Sequence, residues 1–402
     1  MSSSYSLIKL TFLIAILAAV GQMTQTMYVP SIGAMATSFH VSPASLQAVM
    51  ACFLIPYGLS QFIYGPLSDR VGRRPVIMLG LGIYILGALG CVFSPNFVSF
   101  LSFSFIQGLG IGVGGAMCRT VSRDCFSGSQ LHKVNSLISM CILFSPLMAP
   151  IAGGYLTEWF GWRSSYLFLA LFSIAVTIIL ARHFTETLAI EDRRSDSAIA
   201  SYRFVLRQRR FQGYLICLMA IFAGVAVFEA AAGVLLGGVL GLPATTVSWL
   251  FIIPIPGYFL GAALSSWVAE KKSEKVSLYI GLLATFLGAL VIVIPGLLGL
   301  TTAFSLIAGA TLYFLGAGTL FPAATTGALT PLPRHAGTGG AVLGGMQNLA
   351  AGIVTLLASM IPAHSQLPLG GLMLIMSLCA MFGLWHIHRT PDNAQQMPPI
   401  TV

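Results

Sequence analysis

Twelve times along this chain an apolar run of membrane-crossing length gives way to a shorter polar stretch. A helix needs about 20 apolar residues to cross the hydrocarbon core of a bilayer, and the backbone in that core must satisfy its own hydrogen bonds. The pattern therefore dictates an all-α membrane protein. Composition agrees: of 402 residues, 56% are hydrophobic and 8% charged, whereas soluble domains carry about 25% charged residues. Twelve spans take up about 240 residues and leave about 160 for loops and tails.

The spans are expected at Leu7–Val29, Leu46–Tyr64, Val76–Phe93, Phe97–Cys118, Val134–Leu156 and Ser164–Leu180. After the longest polar segment, Ala181–Arg210, they resume at Phe211–Leu236, Val247–Val268, Val276–Leu298, Thr302–Ala323, Gly337–Ile361 and Leu367–Trp385. This divides the chain into an N-terminal six-helix bundle (1–184), a cytoplasmic connector (185–210), a C-terminal six-helix bundle (211–389) and a polar, proline-containing tail (390–402) expected to be disordered. The halves echo one another. Ile55-Pro56-Tyr57-Gly58 in the second span has a counterpart, Ile255-Pro256-Gly257-Tyr258, in the eighth. Two pseudo-symmetric repeats about a central connector is the arrangement in which substrate binds near mid-membrane, between halves that rock.

Charge fixes the orientation. Of the 20 Lys and Arg, all but Arg163 fall on one side of these spans. By the positive-inside rule both termini then lie in the cytoplasm and the number of spans is even. The formal net charge of +9 is thus topological. Its basic residues form no continuous patch with interleaved aromatics, which excludes nucleic acid as a partner. The seven cysteines (Cys52, Cys91, Cys118, Cys125, Cys141, Cys217, Cys379) include no Cys-x-x-Cys pair and sit mostly in apolar runs, so neither a disulfide framework nor a metal site is expected. The first run is too long for a signal-peptide core and lacks a small-x-small cleavage site, so it is expected to stay as the first span.

Between the second and third spans lies Gly65-Pro66-Leu67-Ser68-Asp69-Arg70-Val71-Gly72-Arg73-Arg74-Pro75-Val76. Gly72 permits a tight reversal and Pro75 suits the first turn of the next helix. Asp69 and Arg73 are four apart and pair if the segment is helical. The stretch resembles the loop between helices 2 and 3 of the major facilitator superfamily, Gly-x-Leu-x-Asp-Arg-x-Gly-Arg-Arg, at every defining position. The fifth span carries Ser145-Pro146-Leu147-Met148-Ala149-Pro150-Ile151-Ala152-Gly153-Gly154. Ser145, Ala149 and Gly153 form a small-xxx-small ridge for close helix approach, and Pro150 bends the span. It also resembles the helix-5 signature of that superfamily's antiporters, Gly-x-x-x-Gly-Pro-x-x-Gly-Gly, with Ser145 and Ala149 in place of the first two glycines.

Of eleven acids, only Glu229 sits inside a span. A carboxylate there is costly to ionise, and its proton is exchangeable as access alternates, so Glu229 is the expected proton carrier. A permanently protonated Glu229 bonded to a neighbouring helix is the plainer alternative. Uncharged polar residues recur along other spans: Gln22, Gln25 and Thr26 on one face of the first, Tyr57, Gln61 and Tyr64 on one face of the second, Ser104 and Gln107 in the fourth, Gln347 and Asn348 in the eleventh. With Phe228 and Tyr258 they are expected to line a cavity for hydrophobic, loosely defined ligands. Each taken singly is also explained by an interhelical hydrogen bond worth about 0.6–2 kcal/mol.

Further stretches resemble the EmrD-type multidrug transporters of the twelve-helix drug:proton antiporter family: Gly21-Gln22-Met23 through Pro30, Gly108 through Gly115, Ala226 to Glu229, Phe251 to Pro256, and Gly344 through Asn348. The resemblance implies a major facilitator fold in a bacterial inner membrane and proton-driven export of hydrophobic or amphipathic compounds by a monomer without a cofactor. It implies a cytoplasmic charge network in which Asp69, Arg73 and Asp124, with Arg70, Arg74 and Arg119 beside them, lock the outward-facing form. Two positions depart from the family. Ser104 stands where many antiporters carry an arginine, and Thr26 where related exporters carry an acid, so coupling falls to Glu229. The degenerate fifth-span signature leaves open a proton-coupled importer of a small metabolite. A membrane enzyme is not expected, since the spans offer one acid and the seven histidines cluster in loops and near helix ends.

Overall fold

A computed structural model describes every residue except 1–6, 127, 190, 192, 194–197, 333–335 and 389–402. The tail from 390, and Arg194, Arg334 and Arg389 of the charge count, lie outside the described residues. Among the described residues twelve long helices run through the molecule: α1 (Leu7–Met27), α2 (Gln47–Val71), α3 (Arg73–Phe93), α4 (Phe97–Cys125), α5 (Gly128–Phe160), α6 (Arg163–His183), α7 (Arg209–Gly233), α8 (Ala244–Lys271, interrupted at Ile253), α9 (Glu274–Leu297), α10 (Ala303–Leu329), α11 (Ala336–Ser359) and α12 (Leu367–His388). Among the described residues eleven of these are long and apolar enough to cross a membrane. The remaining one, α5, has 33 residues with Pro146 and Pro150 inside it.

The two halves repeat one packing scheme. In the first, α4 lies against both α2 and α3; in the second, α10 lies against both α8 and α9. Apolar side chains such as Leu86, Leu283 and Phe304 are exposed on the outer surface, and between helices that face lipid a hydrophobic drive is lacking. Close backbone approach holds them together instead. Gly58 of α2 faces the backbone of α11, where a Cβ would come within 2.5 Å of the Gly345 carbonyl and 2.7 Å of the Leu349 nitrogen. Across the other seam, Ser248 of α8 donates from its hydroxyl to the Pro150 carbonyl of α5 at 2.8 Å. These two seams, α2 on α11 and α5 on α8, join the bundles.

The signature stretch departs from its expected form. It is hardly a loop: α2 continues to Val71, α3 begins at Arg73, and the reversal is confined to Gly72. Gly72 has φ +110°, which disfavours any residue with a Cβ, and a Cβ there would also meet the Glu186 carboxylate at 2.6 Å. The helices run on because their last turns leave the bilayer, so polar side chains no longer have to end them. Two further elements were not legible in the sequence. A short helix, Ala198–Arg207, crosses the connector and sets Tyr202 against Phe62 of α2, ring centroids 5.8 Å apart. Beyond Gly233, α7 widens into a π-helical turn over Val234–Val239, closed by the Leu240 N–H donating to the Leu235 carbonyl. Such wide turns recur beside functional sites; this one begins five residues after Glu229.

Candidate functional site between the halves

Glu229 lies on α7 where that helix meets α1 of the other half. It is 8% exposed, and its Oε2 accepts a hydrogen bond from Gln25 Nε2 of α1 at 2.6 Å. Glycine makes the approach possible. A Cβ on Gly233, one turn beyond Glu229, would run into the Val29 carbonyl. Glu229 is therefore buried on a contact between the two bundles. Beside α7 a narrow gap is lined by Val227, Ala231 and Leu235 with Gln47, Leu369 and Leu372.

The other expected cavity residues scatter. Thr26 is buried and its hydroxyl bonds the Gln22 carbonyl of its own helix at 3.3 Å, while Gln22 is half-buried. Tyr57, Gln61 and Tyr64 are all buried. The Gln61 amide sits at the α2–α11 seam, where a Cβ on Gly344 would come within 2.9 Å of its oxygen. Asn348 folds its amide onto the Gly344 carbonyl (2.9 Å), and Gln347 is buried beside it. Ser104 and Gln107 turn away from the seam, toward Cys91 of α3. Phe228 is 1% exposed between Phe251 and Phe314, and Tyr258 is half-buried against Phe321 at 6.2 Å.

At the charged face, Arg73 is the hub. Its Nη1 donates to Asp69 Oδ1 (2.5 Å) and Ser68 Oγ (2.6 Å), and its Nε to Asp124 Oδ2 at the end of α4 (2.9 Å). The Arg73 side chain is 5% exposed, Asp124 18% and Asp69 50%. Arg74 donates to the Ala181 carbonyl, Arg70 is exposed, and Arg119 reaches across to the Gly340 carbonyl of α11 at 2.6 Å. Arg119 thus bridges the halves through a backbone oxygen rather than a carboxylate.

Glu186 was missed in the sequence. Its carboxylate accepts from the backbone N–H groups of Arg73 (2.8 Å) and Arg74 (3.1 Å), which open α3, and from those of Thr187 and Leu188 in the connector. Thr187 Oγ1 donates to Asp124 at 3.2 Å. A carboxylate on free N–H groups at a helix start is favourable, but no local spacing marks Glu186 for that place. The fifth-span motif serves two contacts. Gly153 clears the Met27 carbonyl of α1, and Gly154, with the Pro150 carbonyl, meets Ser248 of α8. Ser145 and Ala149 are buried on the same helix.

Two six-helix bundles joined along paired seams, with a buried acid between them and a charged reversal at one end, define a membrane transporter. The profile of the Major Facilitator Superfamily matches residues 14–355, and the chain belongs to that family. It is 43% identical to multidrug resistance protein D of Escherichia coli (strain K12) over 92% of this chain and 93% of that one. It is 27% identical to a bicyclomycin resistance protein homologue of Haemophilus influenzae, over 83% of this chain and 85% of the relative. The xylose transporter XylE of E. coli, in a partially occluded inward open conformation, shares the fold with a TM-score of 0.74 at 15% identity, over 98% of this chain and 100% of that one.

Proposed function

We propose that this protein exports hydrophobic or amphipathic compounds across a bacterial inner membrane in exchange for protons. The observation that carries the reading is the hydrogen bond between Gln25 and Glu229, which ties the one intramembrane acid to the opposite half. Ionised, Glu229 holds this charge-assisted bond or faces a cationic substrate; protonated, it loses much of the bond's strength and frees the bundles to rock. A proton crossing the membrane gains about 2.3 kcal/mol per 100 mV. At about 1.4 kcal/mol per tenfold, that sustains a gradient on the order of 50-fold.

The rocking bodies are residues 1–184 and 211–389, with 185–210 as the connector. The charged face, by its excess of Lys and Arg, is cytoplasmic. The resistance functions named for the relatives support the substrate class, and the packing of the fifth-span motif against both α1 and α8 suits a moving seam. The protein works as a monomer, each copy holding both halves of the site. The test is drug or dye transport in everted vesicles, with and without a proton gradient. Glu229→Gln is expected to abolish uphill transport while dye binding persists. Undiminished uphill transport by that variant overturns the reading.

A further inference from the structure

At the end of the molecule away from the charged face, α5 stops at Phe160 and α8 starts at Ala244, and these two helices belong to opposite halves. Glu158, in the last turn of α5, accepts at its Oε1 from the backbone N–H of Thr245, in the first turn of α8, at 2.9 Å. An N–H in that position has no partner within its own helix, and a carboxylate is favoured at a helix start. One turn further along α8, Ser248 bonds the Pro150 carbonyl, two turns back along α5, and Gly154 between them has no Cβ to hold the helices apart. Thr157, next to Glu158, is tied instead within its own half, its hydroxyl 2.5 Å from that of Ser31. The end of α5 is thus fixed to the chain beyond α1, and Glu158 is what it extends to the other half.

On the other side of this bond, the start of α8 is joined to the helix that carries Glu229. Between the π-helical turn after α7 and the start of α8 lie only Leu240 to Pro243, with Gly241 at φ +67° and the Leu242 N–H donating back to the Leu236 carbonyl at 3.0 Å. The same turn meets the N half: a Cβ on Gly238 would come within 2.8 Å of Pro43. The contact is also built to open. Glu158 is exposed, so water can take the place of the Thr245 N–H at small cost. At the charged face the tie between the halves has the opposite sign, the Arg119 guanidinium on the Gly340 carbonyl.

We propose that Glu158 is a gating residue: its carboxylate latches α5 to the start of α8 and keeps the end away from the charged face closed. When the bond to Thr245 breaks, the start of α8 leaves α5 together with the π-helical turn, while the Arg119 tie holds the charged end shut. The step breaks one hydrogen bond and moves no proton. It rests on the reading of the protein as two rocking halves, and not on the role of Glu229 as proton carrier.

Spin-label distances on the full chain in liposomes, with its native cysteines replaced and no drug or proton gradient present, decide it. Labels at Val98 and Leu298 read the latched end and labels at Arg182 and Lys275 the charged end; all four positions are exposed. Glu158→Gln keeps an acceptor without its charge, Glu158→Ala removes the acceptor, and Glu158→Lys sets a cation against the helix start. The population with a long Val98–Leu298 distance is expected to rise in that order, by about two- to fivefold for Glu158→Ala, the effect of one charge at an exposed helix end. The Arg182–Lys275 distance is expected to stay short throughout. Arg119→Ala is expected to do the reverse, lengthening the Arg182–Lys275 distance alone. A Val98–Leu298 distribution that is the same across the Glu158 series overturns the latch, and so does lengthening at both ends together, which marks general loosening. A parent protein fixed in one conformation at both ends overturns the rocking reading, and the latch with it.

Discussion

The reversals after α2 and after α8 occupy equivalent places in the two repeats, and they are held in different ways. After α2, Arg73 is gripped by Asp69, Asp124 and Ser68, and Glu186 pins the first N–H groups of α3. After α8, the segment from Glu270 to Lys275 carries five charged residues, and among the described residues none of them is in an ion pair. There the turn rests on Ser273, whose hydroxyl caps α9, and on Lys271 lying over the Trp267 ring at 4.7 Å. Both arrangements reverse the chain. Only the first also ties the end of α4 and the connector to that reversal, so a load on it is felt by three elements at once.

The largest effect that tests this contrast is expected from Arg73→Met. It leaves Asp69 and Asp124 without their shared cation, and because Asp69 is half-exposed and Asp124 18% exposed the loss is expected to fall below the about 3–5 kcal/mol of a fully buried pair. Thermal unfolding in detergent is expected to show it, together with a more than tenfold fall in vesicle transport. Glu186→Gln comes next, at about 1 kcal/mol, because the amide still accepts hydrogen bonds but no longer opposes the helix dipole with a charge. Ser273→Ala in the other repeat is expected to lose a similar amount of stability. Transport rate separates these two: it is expected to fall for Glu186→Gln and to hold for Ser273→Ala, and equal rates would erase the contrast.

Asp69→Asn touches a half-exposed carboxylate, so its cost is about 0.2–1 kcal/mol. Its expected signature is slower exchange between conformations, read by spin-label distances, with dye affinity unaltered. The smallest effect belongs to Lys271→Met, within about 0.5 kcal/mol of wild type in melting and with unchanged transport. A transport defect there would mean that the second reversal also bears load.

Much of this was legible in the chain. Spans have to be apolar for their whole length, so their number, their order and the division near Ala181 stand out. Asp69 and Arg73 were readable because four residues of spacing survive as a contact, although the helix breaks at Gly72 between them. Ends of helices were less legible: α2 and α4 outrun their apolar runs by several residues, since polar side chains are tolerated once the helix has left lipid. Among the polar residues of the spans, pattern alone could not separate Gln25, which meets Glu229, from Gln107, which turns into its own bundle. Both are amides on small-residue helices, and which way each faces depends on the neighbour.

The sequence by itself determined that the protein lives in a membrane as two six-helix repeats, and that one acid, Glu229, is placed where lipid penalises charge. Those are consequences of composition and spacing acting locally. Tertiary structure alone decided that Gln25 is the partner of that acid, that Glu186 closes the first reversal, and that Arg119 reaches the Gly340 carbonyl. Each of these joins residues more than a hundred positions apart. Such pairings are fixed by where glycines let backbones touch, and a one-dimensional pattern carries no record of that.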